Sequence, residues 1–245
     1  MRLNLFLARA GKGSRREADG WIRDGRVRIN GRPPEGMGAG VTPGVDRVTL
    51  DGVTVEVPEA HRYAAYHKPP ATLVSRRSQG GKQTIFDLLG ERARGLMPVG
   101  RLDYDSEGLL LMTDDGSLAE ALLHPRTGLL RRYRVWVTPV PDPVALRRIE
   151  AGTEVEGIPV RPLRVVHEGA EHGLGVLVID LAEGKKREVR LLARGARLHV
   201  HRLLRVEFGP IHLGPQRRGT LRPLDPAEVA ALRKAAARFS KGARG

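Results

Sequence analysis

The chain has 245 residues, 40% of them hydrophobic, with 42 Lys and Arg against 28 Asp and Glu for a net charge of +14, and no cysteine. That length accommodates a small domain and a larger one, each with its own core, and the missing cysteines exclude disulfides, thiolate nucleophiles and cysteine-based metal centres. No run of about 18 apolar residues is present to span a membrane, and the polar–apolar start Met1-Arg2-Leu3-Asn4 opens no secretory core, so a cytoplasmic protein is expected.

The charge is concentrated in two blocks. Residues 1–34 carry nine Arg or Lys against three acids, and residues 185–222 carry eleven against two. Of the 42 basic residues 35 are Arg, whose planar fork grips phosphate at two points. The expected partner is a nucleic acid; a membrane surface is not, for want of a basic helix bearing Trp and Phe.

In chain order, Leu3, Phe6 and Leu7 predict a short helix closed at Gly11. Ser14-Arg15-Arg16-Glu17 is a capping box for a second helix through Ala18, Trp21 and Ile22. Val27-Arg28-Ile29 reads as a strand and Asn30-Gly31 as a hairpin turn. Arg9, Lys12, Arg15, Arg16, Arg23, Arg26 and Arg28 stud this module. These residues resemble the S4 RNA-binding domain, which implies docking on folded RNA through phosphate and shape. Residues 33–61 are rich in Pro and Gly around the strand pair 48–50 and 53–55, and are expected to end the small domain, residues 1–60, in a linker.

A larger domain is expected over 61–239, with a flexible basic tail at 240–245. It opens with strands at 63–67 and 72–75, separated by Lys68-Pro69-Pro70, then a basic loop around Arg76, Arg77 and Lys82, and a short helix after Thr84. Gly100-Arg101-Leu102-Asp103-Tyr104-Asp105-Ser106-Glu107-Gly108 sets three acids in a Gly-bounded loop and runs into the apolar stretch Leu109-Leu110-Leu111-Met112. On spacing alone, Asp103 is a turn former or a catalyst held on a rigid strand. Ser117-Leu118-Ala119-Glu120 predicts a capped helix, and 130–138 an alternating strand with Tyr133, Val135 and Val137 on its apolar side. Asp142-Pro143 caps another helix, strands follow at 159–166 and 175–181, and Gly184-Lys185-Lys186-Arg187-Glu188-Val189-Arg190 feeds a basic helix. Short strands at 202–208, 211–213 and 220–223 precede a last helix from Asp225. The class is α+β: a small helix–helix–hairpin domain followed by a larger, mainly antiparallel mixed sheet with flanking helices.

Gly100-Arg101-Leu102-Asp103, Tyr133 within Arg131-Arg132-Tyr133-Arg134-Val135, and Lys186-Arg187-Glu188-Val189-Arg190 resemble the three signature regions of pseudouridine synthases. Lys68-Pro69-Pro70 and Val206-Glu207-Phe208-Gly209-Pro210-Ile211 are similar to the ribosomal types that carry an S4 domain, with Asp114 where Asn is usual and Glu188 where Gln is usual. The resemblance implies isomerisation of uridine in ribosomal RNA, free or in a partly assembled subunit, without a cofactor; the residues themselves offer no metal-ligand spacing and no dimer seam, so a monomer without a metal is expected. It implies that Asp103 is the catalytic carboxylate, Arg190 its cationic partner and Tyr133 the ring that stacks on uracil. Arg101 and Leu102 would meet the flipped nucleotide, and Lys186 and Arg187 the RNA. The contrasting possibility is a non-catalytic S4-domain RNA-binding or ribosome-assembly protein. The joint presence of Asp103, Tyr133 and Arg190 speaks for the enzyme.

Overall fold

A computed structural model describes residues 1–58, 60–155 and 157–242, and the chain divides into two compact units. The first comprises Met1–Arg62, Gly90–Met97 and Thr113–Asp115, and the second Tyr63–Leu89, Pro98–Met112 and Gly116–Gly245.

In the first unit, α1 (Leu3–Arg9) and α2 (Arg15–Arg23) pack over a three-stranded antiparallel sheet of β1 (Val27–Ile29), β2 (Val48–Leu50) and β3 (Val53–Val55). The Ser14 hydroxyl accepts from the Glu17 amide and the Glu17 carboxylate from the Ser14 amide, closing the expected capping box. Leu3, Phe6 and Leu7 bury against Ala18, Ile22, Val27, Val41, Val48 and Val55. At roughly 1.5–3 kcal/mol for each large apolar side chain removed from water, this small core is what holds two short helices that would not persist alone. The Asn30-Gly31 turn forms, both residues at positive φ, but its hairpin closes only through Ile29 and Arg32. Pro33 and Pro34 lack the N–H donors a returning strand needs, so β1 pairs with β2 across a long loop. The strand pair expected at 48–50 and 53–55 forms as β2 and β3, and Val41, Val48 and Val55 join the core.

The second unit is built on a sheet in the order β10 (Arg164–Glu171), β11 (Leu174–Leu181), β7 (Arg131–Thr138), β12 (His199–Phe208), β6 (Glu107–Thr113), β4 (Tyr63–Lys68) and β14 (Leu221–Pro223). Short β5 (Met97–Pro98) and β13 (Ile211–His212) pair with β6 and β12, and β8 (Thr153–Val155) with β9 (Ile158–Val160) forms a separate ribbon. The pairing is antiparallel at β10–β11, β11–β7 and β7–β12, while β6 joins β12 in parallel. Every residue of β6 is buried, as its unbroken apolar run requires of a central strand. Leu109 and Leu111 pack with Leu118 and Leu122 of α4 (Gly116–Leu123) and Leu232 of α7 (Pro226–Gly242). Helices α3 (Ile85–Leu89), α5 (Pro143–Ala151) and α6 (Glu188–Gly195) complete the unit.

Two local expectations change. Residues 72–75 form no strand: Ala71 is left-handed after two prolines and the Thr72 amide donates to Tyr104 O, leaving one bridge at Leu73–Thr84. Helix α4 starts at Gly116, so Ser117 lies inside its first turn and does not cap it. Of the tail expected at 240–245, residues 240–242 end α7, and 243–245 lie outside the described residues.

Candidate active site

A cavity of about 420 Å³ in the second unit brings together Arg101, Leu102, Asp103, Tyr133, Lys186 and Arg187. Asp103 sits in the loop immediately before β6, and two buried cations grip that loop's backbone. The Lys68 ammonium, fully buried at the end of β4, donates to Ser106 O at 2.7 Å, Pro69 O at 2.9 Å and Tyr104 O at 3.4 Å. Arg205 on β12 donates from Nε to Leu109 O at 2.8 Å and from Nη1 to Arg101 O at 3.5 Å. Burial pulls the Lys68 pKa down to about 8, against the opposing pull of the Asp105, Asp103 and Glu107 carboxylates. Gly108, at φ +111°, lets the strand approach Arg205 so closely that a Cβ there would lie 2.4 Å from the Arg205 carbonyl oxygen.

The loop's three acids face different surroundings. Glu107 is buried and pairs with Arg202 and with Arg218, the latter at 2.6 Å. Asp105 pairs with Arg190 at 3.1 Å and Arg187 at 3.5 Å, and its carbonyl accepts from Arg190 Nη2. Asp103, half-buried on the cavity wall, has no side-chain hydrogen bond or ion pair among the described residues. The cation expected beside Asp103 thus holds Asp105, two residues on. Burial lowers the Arg190 pKa and Asp105 opposes the shift. Arg190 does not line the Asp103 cavity; with Arg187 it lines the adjoining hollow.

Tyr133 is buried on β7 and its register opposite Arg205 on β12 sets both side chains on the cavity face of the sheet. Next along the strands, Arg131 stands opposite Phe208, and the guanidiniums of Arg131 and Arg205 lie 5.1 and 5.2 Å from the Phe208 ring centre. Above them, Glu188 opens α6 with only 3% of its surface exposed; one carboxylate oxygen accepts from the Lys185 amide. Burial raises its pKa to about 7.

From the sequence, Asp105 and Glu107 are expected only to orient the loop, and Lys68 is given no place in the site. The i,i+2 spacing from Asp103 signals Asp105 weakly, and nothing local announces that a lysine before two prolines is buried. Among the described residues no group of His, Asp and Glu could hold a metal ion, and no helix is long and apolar enough to cross a membrane.

The other candidates lie in the first unit. Arg15, Arg16, Arg26 and Arg28 are exposed, and Arg9 and Lys12 half-buried. Arg26 pairs with Asp51 at 2.6 Å, and Arg9 Nη2 donates to Pro58 O. Arg15, Arg16 and Arg28 meet no carboxylate among the described residues, the nearby Glu17 and Asp19 being engaged by Ser14 and Asn4. Asp114, expected in a turn, is buried and accepts from the Arg62 amide and bonds the His61 ring at 2.8 Å.

The fold agrees with what comparison finds. The model of the RNA pseudouridylate synthase family matches residues 62–194, and that of the S4 domain residues 1–33. A solved pseudouridylate synthase shares the fold at a TM-score of 0.64 with 24% identity, covering 95% of this chain and 99% of that one. An uncharacterised RNA pseudouridine synthase of Aquifex aeolicus is 39% identical over 96% of this chain and 94% of its own. The ribosomal large subunit pseudouridine synthase B of Escherichia coli K12 is 38% identical over 95% and 82%. The chain belongs to the RNA pseudouridine synthase family, and it is an enzyme that isomerises uridine in RNA.

Proposed function

We propose that this enzyme acts on ribosomal RNA, free or in a partly assembled subunit, as a cytoplasmic monomer, with Asp103 as the catalytic carboxylate. The observation that carries the assignment is that Asp103 and Tyr133 line one cavity, while the loop's other two acids are neutralised by arginines. Isomerisation cuts the bond from N1 to ribose, turns the base and rejoins it at C5, with no net redox change and no co-reactant. A carboxylate without a bonded partner is available to the nucleotide. Tyr133 offers a flat face for the uracil and a hydroxyl for proton exchange. Arg190 acts through Asp105: the ion pair fixes the loop two residues beyond Asp103 and adds positive charge near it.

To reach Asp103 the uridine must leave its stack, the exposed Arg101 filling the space it vacates while the buried Leu102 lines the cavity the base enters. Lys186 and Arg187 on the cavity wall meet its phosphates. In the S4 module, Arg9, Lys12, Arg15, Arg16, Arg26 and Arg28 hold the surrounding RNA through its backbone. The name of the Escherichia coli relative supports the large-subunit RNA as substrate. The test is to map pseudouridines in ribosomal RNA from a strain lacking the gene. One site should be lost, restored by the wild-type gene and not by Asp103→Asn; an unchanged ribosomal map would refute the substrate assignment.

A further inference from the structure

Beside the Asp103 cavity lies a hollow of about 370 Å³ lined by Arg187, Arg190, Arg194, Arg197 and His199, with no carboxylate in its wall. Arg190 and Arg194 stand one turn apart on one face of α6, about 6 Å along the axis, and Arg187 and Arg197 flank the helix in the same hollow. Like charges at this spacing weaken a helix. Asp105 pairs with both Arg187 and Arg190 and so offsets one of their two charges, while Arg194 and Arg197, both exposed, meet no carboxylate among the described residues.

Backbone geometry gives a second, independent indication. Arg187 before α6 and Arg197 after it are both left-handed, with φ of 57° and 62°. Glycine adopts that conformation freely and arginine does so at a cost. Both side chains are exposed, so core packing does not demand arginine at either place. The row therefore holds exposed guanidiniums that the described residues leave open to an anion. Arg187 lines both this hollow and the cavity, so a strand whose nucleotide enters the cavity carries its neighbouring phosphates past it.

We propose that the hollow binds the phosphodiester backbone of the RNA strand flanking the flipped uridine, a second RNA contact separate from the S4 module. The inference rests on the reading of the Asp103 cavity as the uridine site. Guanidinium forks bind phosphate oxygens in pairs and read no base, so this grip is independent of flanking sequence.

The test measures binding by fluorescence anisotropy over a range of salt. The probe is a labelled ribosomal RNA hairpin with a uridine-containing loop, and wild type is compared with Arg194→Gln/Arg197→Gln. Because no turnover is needed, the result stands even if the protein releases no tritium from 5-tritiated uridine, which would defeat the functional reading alone. The double variant should bind more weakly at low salt, with a slope of log K against log salt shallower by about 1.4, two single-strand phosphates lost. Arg194→Lys/Arg197→Lys should recover most of the slope. An unchanged slope in the Gln variant overturns the proposal, as does loss of binding to labelled polyglutamate with RNA binding intact, which would assign the hollow to an acidic protein.

Discussion

Glu188 shows what a single buried acid does to this fold. Its carboxyl keeps its proton up to about pH 7 in the native state but only to about 4.5 in the unfolded chain. Between those values the native state binds more protons, so the stability that protonated Glu188 contributes is present below pH 4.5 and is lost as pH rises through 7. Glu188→Gln, which cannot ionise, should leave the melting temperature at pH 4.5 nearly unchanged and stabilise the protein at pH 8 by about 3 kcal/mol. Thermal melts at the two pH values check this; equal effects at both would show that the buried charge is not responsible. The same scale separates the acids of the Asp103 loop. Their chemical types are alike, and what distinguishes Asp105 and Glu107 from Asp103 is the arginines that reach them and how deeply each side chain sits.

At the scale of elements, the parallel contact of β6 with β12 positions the Asp103 loop, and it depends on Gly108. Gly108→Ala would force a Cβ against the Arg205 backbone at a positive φ, and should destabilise the protein by about 3 kcal/mol while lowering activity. Chemical denaturation measures the first effect; a loss below 1 kcal/mol would mean the strands separate easily, contrary to the packing described. Most elements were legible in the sequence because local chemistry dictates them: the Ser14–Glu17 box, the Asp142-Pro143 helix start and the alternation through Tyr133 all recur in the structure. Partnership was not legible. The Asn30-Gly31 turn predicted a hairpin whose second strand Pro33 and Pro34 forbid, and residues 72–75 carry strand-forming types but donate to a loop. In the site, motif residues located Asp103 and Tyr133, whereas the Arg190–Asp105 pairing and the burial of Lys68 arise from contacts 85 and 38 residues apart in the chain.

For the whole molecule, the net charge of +14 has its physical meaning in RNA affinity. Replacing Arg15 and Arg16 with Gln should weaken binding to a ribosomal RNA hairpin and flatten its salt dependence by about 1.4 to 1.8 in the log–log slope. A filter-binding series over salt would show it, and an unaltered slope would remove these residues from the docking surface. The central prediction is that Asp103 performs the isomerisation in its cavity. The most direct measurement is tritium release from RNA labelled at uridine C5, since joining C5 to ribose expels that hydrogen. Wild-type protein should release tritium, and Asp103→Asn should release it at least about 10³-fold more slowly while still binding RNA; release by Asp103→Asn at the wild-type rate would contradict the account.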